Sequence, residues 1–141
     1  MKISTKGRYA LRLMIDLAMA GQDGPVALRD VAKRQELSEK YLEQLVAPLT
    51  RAGLLKSVRG AGGGYLLTKS PAEYTAGEIL RAQEGSLAPV DCGDSDHPCE
   101  RQNRCSTAPL WRRIAQAVDE VVDNTTLQDM VDEYKEALAK A

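Results

Sequence analysis

Residues 38–67 read SEKYLEQLVAPLTRAGLLKSVRGAGGGYLL, and this stretch decides the fold. Ser38 is placed to cap a helix in which Tyr41, Leu42, Leu45, Val46 and Leu49 recur at three-to-four spacing and form an apolar stripe. Pro48 falls inside that pattern and is expected to kink or shorten it, with Gly53 placed to end it. Leu54–Val58 and Tyr65–Thr68 are short strand-like runs on either side of Arg59-Gly60-Ala61-Gly62-Gly63-Gly64. They predict a hairpin with a long glycine-rich tip.

Working outward, Ser4 or Thr5 can cap a first helix running to about Ala20, with Ala10, Leu13, Met14, Leu17 and Ala18 on one face. Gly21 and the Gly24-Pro25 pair end it. Leu28–Arg34 reads as a short second helix, and the few residues from there to Ser38 suit the turn between two crossing helices. Three helices and then a hairpin describe a winged helix-turn-helix, here over residues 1–70. Beyond Ser70-Pro71, Thr75 with Glu78 forms a capping signal for a helix to Gln83. Residues 85–108 have the composition of a loop and hold all three cysteines. Leu110–Asn124 is amphipathic through Leu110, Trp111, Ile114, Ala117, Val118, Val121 and Val122, and Thr126 caps a last helix over Leu127–Ala139. The expected class is mainly α with a small β-hairpin. Residues 71–108 form a connecting helix and cysteine loop, and 109–141 a helical segment.

The 141 residues carry a formal net charge of −1, but the charge is unevenly spread. Residues 1–70 hold 12 Lys or Arg against 6 Asp or Glu, a net of +6, and residues 71–141 hold 7 against 14, a net of −7. A basic half joined to an acidic half points to a polyanion such as nucleic acid as partner of the first. No apolar run approaches the ~20 residues of a membrane span, so no membrane role is expected. The opening MKISTKGRYALRLM lacks the apolar region and cleavage site of a signal peptide. An odd count of three cysteines argues against a secreted disulfide scaffold. The expected location is cytoplasmic. No paired acid–base or nucleophile–histidine constellation is present, so no enzyme is expected.

In a winged helix-turn-helix the N-terminal residues of the second crossing helix come closest to base edges in the major groove. The candidate contacts there are Ser38, Lys40, Tyr41, Glu43 and Gln44. Gln44 can pair with adenine, and Glu43 can accept from the amine of cytosine. The plainer reading is a solvated helix face. In the tip, the candidates are Arg59, Gly60, Gly62 and Gly63. The segment is not a P-loop, because no Lys-Ser or Lys-Thr follows the glycines. Arginine at the base of a tip without side chains suits a narrow minor groove, whose negative potential attracts it; a flexible turn is the alternative.

Cys92, Cys99 and Cys105 lie in DCGDSDHPCERQNRC, a Cys-x6-Cys-x5-Cys spacing that matches neither a zinc ribbon nor a ferredoxin run. Three thiols in one loop can still converge on zinc, copper(I) or an iron–sulfur cluster. A four-ligand centre needs one more donor, and His97, the only histidine, sits between two of the cysteines. Unliganded thiols that sense oxidants are the alternative.

The opening KGRYALRLM, the stretch SEKYLEQLVAPLTRAGLLKSVRGAGGGYLL, GEIL, the three cysteines and LW before the long helix resemble the IscR-like iron–sulfur cluster regulators and their wider family of winged-helix transcription factors. The resemblance covers the chain to about residue 130. It implies a homodimer joined through the long C-terminal helix, so that 109–141 become dimerisation helices. Each subunit would place a recognition helix in a major groove and a wing in the adjoining minor groove of a palindromic operator in double-stranded DNA. It further implies a cluster, usually 2Fe–2S, on the three cysteines that alters DNA affinity, with Glu43 tied to cluster-dependent sequence discrimination. One departure stands out. The IscR-like members take a fourth ligand from a histidine three residues after the third cysteine, and here that residue is Ala108. The remaining candidates are His97, Asp91, Asp94, Asp96 and Glu100. The competing expectations are a thiol-based or zinc-bound regulator of the same fold and, from another class, a metal or cluster delivery protein that does not bind DNA.

Overall fold

The computed structural model describes residues 2–20, 23–93 and 99–141. His97, Asp94 and Asp96 lie outside the described residues. Six helices, α1 (Thr5–Ala20), α2 (Leu28–Gln35), α3 (Glu39–Arg51), α4 (Ala76–Glu84), α5 (Ala108–Asn124) and α6 (Leu127–Lys140), accompany one hairpin of β1 (Leu55–Val58) and β2 (Gly64–Leu67). Short 3-10 turns at Pro71–Glu73 and Asp91–Gly93 were not expected from periodicity. The second of them holds Cys92 and gives part of the expected loop local structure.

The predicted caps explain where the helices start. Ser38 accepts from the Tyr41 amide at 3.1 Å, and Thr75 and Glu78 form the reciprocal capping box that begins α4. Thr126 does the same for α6 with Asp129. Pro48 stays inside α3, which runs on to Arg51. Between α2 and α3 the chain turns on Glu36, which takes a left-handed conformation (φ 55°, ψ 45°) in the position where glycine is more common.

The hydrophobic core joins residues from both sides of position 70. Leu13, Met14 and Leu17 of α1 meet Val31 of α2 and Leu42, Leu45 and Leu49 of α3, and the same cluster includes Tyr74, Ile79, Leu127 and Val131. The first turns of α6 therefore belong to the core of the head. Tyr74 is fully buried, and its hydroxyl donates to the Leu54 carbonyl while accepting from the Thr68 amide, both at 2.8 Å, which pins the base of the hairpin. A backbone bridge between Thr75 and Thr126 ties the start of α4 to the start of α6.

One charged group is sealed into this assembly. Asp16 on α1 is only 6% exposed; Arg34 forks onto it at 2.7–3.2 Å, and the Gln35 amide donates at 2.9 Å. A buried carboxylate needs such partners. The same contact raises the Arg34 pKa, chiefly through the hydrogen bond to Asp16, and it fixes the angle of α2 on α1.

Candidate functional site

The outer face of α3 is built by subtraction. The apolar stripe faces the core, which leaves Ser38, Lys40, Glu43 and Gln44 exposed on the opposite side. Tyr41 behaves differently from the other candidates. Its ring is half-buried against Tyr9 in an edge-to-face pair with centroids 5.9 Å apart, and the Arg12 guanidinium lies over Tyr9 at 4.8 Å. The Tyr41 hydroxyl is buried without a hydrogen-bond partner among the described residues. The structure thus gives Tyr41 a packing position, between the reading face and α1.

The tip of the hairpin is exposed, with Arg59 at its base. The β1–β2 register runs from Leu55↔Leu67 to Val58↔Gly64, and the Gly63 amide closes the turn on the Gly60 carbonyl at 3.0 Å. Gly60 and Gly62 take positive φ (99° and 81°), and a Cβ at Gly63 would collide with the Val58 carbonyl. The glycine run is therefore demanded by the turn. Val26 adds an isolated bridge to Tyr65, which braces the hairpin against the segment before α2.

The charge of residues 1–70 is mostly basic, although Glu39 and Glu43 are exposed beside Lys40 on α3. Of the 12 cations in residues 1–70, only Arg34 and Lys69 pair with a carboxylate among the described residues. The rest are exposed; Arg12 is held by Gln35 and Tyr9, while Lys6, Lys40, Lys56 and Arg59 are available to meet phosphates.

The cysteine segment lies elsewhere. Cys92 is exposed on its 3-10 turn, which packs against α5; Cys99 and Cys105 are half-buried, and all three are free thiols. Cys99 and Cys105 line one cleft with Arg101, Arg104 and Ser106. Thr107 sits between the Cys105 sulfur at 3.4 Å and the Trp111 indole N–H, which donates to its hydroxyl at 3.2 Å. The Thr107 hydroxyl first, then the backbone N–H groups of Thr107 and Ala108, hold the Cys105 thiol below its ordinary pKa. Among the described residues, no group of three His, Cys, Asp or Glu side chains converges as metal ligands. Two of the three predicted cysteines share a cleft; Cys92, Asp91 and Glu100 do not line it.

Two features of the site escaped the sequence reading. Gln83 of α4 donates to the Leu45 carbonyl of α3 at 2.6 Å, and Glu84 accepts from the Ser4 backbone and hydroxyl. Both are long-range contacts with no periodic signal.

A helix-turn-helix with a glycine-tipped wing and an excess of exposed, unpaired cations defines a DNA-binding protein of the winged-helix class. The chain belongs to the Rrf2 family of iron-dependent transcriptional regulators, whose pattern it matches over residues 3–133. It is 51% identical to the transcriptional regulator CymR of Bacillus subtilis over 92% of this chain and 89% of that one. It is 41% identical to IscR of Yersinia pestis over 93% of this chain and 79% of that one. The solved structure of B. subtilis CymR, the global cysteine regulator, superposes with a TM-score of 0.78 at 49% identity, covering 94% of this chain and 98% of CymR. That of T. potens IscR gives 0.78 at 43% identity, covering 97% and 90%. The chain is a DNA-binding transcriptional regulator and not an enzyme. Among the described residues, no helix is long and apolar enough to cross a membrane.

Proposed function

We propose that the chain is a cytoplasmic, homodimeric regulator that reads a palindromic operator and whose operator affinity follows the state of Cys92, Cys99 and Cys105. Ser38, Lys40, Glu43 and Gln44 read the major groove, and Arg59 with Gly60, Gly62 and Gly63 enters the minor groove. The nucleoid is its place of work.

The support for a dimer is α5. None of its residues is buried, Leu110 is 43% exposed and Val121 66% exposed, although its apolar positions keep helical spacing. A second copy would cover that face, and a dimer of such heads reads two half-sites one helical turn, roughly 34 Å, apart on DNA.

The observation that carries the regulatory part is the cleft at the start of α5, where Cys99 and Cys105 meet Arg101 and Arg104. Thiolates are the donors that iron–sulfur clusters use, and the two guanidinium groups offset the negative charge of a thiolate-bound centre. By donor chemistry, Cys99 and Cys105 in the cleft would supply two thiolates to a 2Fe–2S cluster, which Cys92 and a fourth ligand from the same segment, His97 foremost, would complete. Such a group supplies a redox- and iron-responsive state. The chain's own residues bind it, keep Cys105 toward thiolate and connect the segment to α5.

The separation of Cys92 from the shared cleft favours a second reading, a thiol-based or zinc-bound regulator without a cluster. Anaerobic purification followed by metal and sulfide analysis separates them. Coloured protein with bound iron and acid-labile sulfide is the expected result. Protein that stays colourless after reconstitution with iron and sulfide contradicts the cluster, and zinc without sulfide supports the second reading.

A further inference from the structure

The last turn of α4 touches the recognition helix, the first helix and the long exposed helix, and leads into the cysteine segment. Arg81 grips Asp119 at 2.7 Å and Asp123 at 2.5 and 3.1 Å on α5. Gln83 holds the Leu45 carbonyl of α3, and Glu84 holds Ser4 at the start of α1. Gly85 then turns the chain (φ 76°, ψ −127°) into the cysteine segment, where Leu87 is buried. Four residues at the end of one helix thus meet the recognition helix, the first helix, the exposed long helix and the regulated segment.

The bond from Gln83 has a local reason. Pro48 has no N–H to give to the Gln44 carbonyl, so α3, although continuous to Arg51, lacks one bond of its helical ladder at this turn. The neighbouring Leu45 carbonyl is the one that takes the Gln83 amide. The turn of the recognition helix next to that missing bond is held from outside, by the helix that leads into the cysteines. Only a donor can serve a carbonyl, so the amide nitrogen of Gln83 is the end that faces α3.

We infer that Gln83 is a positioning residue for DNA reading: it sets the recognition helix on α4 and passes to it the state of the cysteine segment. This rests on the proposed regulatory role of that segment. Movement of residues 85–93 pulls on the end of α4, and the Gln83 bond turns that into a shift of α3. Glu84 carries the same displacement to α1.

The test uses the full chain and an operator selected from random duplexes. Affinity is measured before and after anaerobic loading with ferrous iron and sulfide. Wild type should show a ratio between the two states of about 5- to 150-fold, the usual span of allosteric coupling. Gln83→Met keeps the volume and loses the donor, so the ratio should collapse to less than about 2-fold. Gln83→Lys restores a donor and should recover most of it, which a merely space-filling residue would not do. In the unloaded chain, amide hydrogen exchange across residues 45–51 should rise in Gln83→Met and return toward wild type in Gln83→Lys. A Gln83→Met chain that keeps the wild-type ratio, or wild-type exchange across α3, overturns the inference and leaves the regulatory reading standing. A wild-type chain with no ratio at all overturns both.

Discussion

Leu42, Leu45, Val46 and Leu49 on α3 are between 0% and 3% exposed, whereas α5, with an apolar stripe of the same period, has no buried residue. The two helices look alike as amphipathic sequences, and the chain treats them in opposite ways. The stripe of α3 is covered by α1, α2, α4 and β1 of its own chain, which turns its polar residues outward, where we propose that they read DNA. Among the described residues, α5 packs chiefly against α4 and the turn at Asp91–Gly93. Periodicity reports that a face wants cover; it does not say which chain supplies it.

This contrast can be broken at either helix. The largest effect is expected from Leu45→Ala, which opens a cavity in the shared core and should cost roughly 2–5 kcal/mol in chemical denaturation, with operator binding lost in proportion to unfolding. Gln44→Ala acts on the other side of the same helix. It should leave stability unchanged and cost about 1–3 kcal/mol of operator affinity, concentrated at one base pair in a scan of operator variants. Tyr41→Phe removes a buried hydroxyl that has no partner among the described residues, and thermal unfolding should show stability equal to wild type or raised by about 1 kcal/mol. A clear loss would show that the hydroxyl is satisfied, which would return Tyr41 to the reading face. On α5, Val121→Asp should change the stability of a single chain by less than about 0.5 kcal/mol, yet shift sedimentation from dimer to monomer. If it unfolds the chain instead, the α5 face is internal core and the contrast with α3 fails.

The legible parts of the molecule are those whose cause is local. The cap at Ser38, the stripe of α3 and the glycine run of the wing each follow from residues within a few positions, so the fold of the head could be read directly. Even there, the turn between α2 and α3 rests on Glu36 in a left-handed conformation, which nothing in its residue type announces. The hidden parts join distant residues: Asp16 with Arg34, Tyr74 with Leu54, Gln83 with Leu45. None leaves a periodic trace, because each depends on how whole helices cross. The placement of α6 is a similar case. Its cap and span were visible, but the bridge from Thr75 to Thr126 is what sends Leu127 and Val131 into the core of the head. The cysteines were visible as a donor set, while the pairing of Cys99 and Cys105 in one cleft, apart from Cys92, required coordinates.

The central claim is that the cysteine segment governs how the head reads DNA. It is tested most directly by titrating a selected operator with the intact chain, loaded anaerobically with iron and sulfide or left unloaded, beside a Cys92→Ser, Cys99→Ser, Cys105→Ser variant taken through the same loading. The account predicts that loading changes the wild-type Kd by about 5-fold or more and leaves the variant unmoved. Equal affinities for loaded and unloaded wild type, or a shift that persists in the variant, would contradict it.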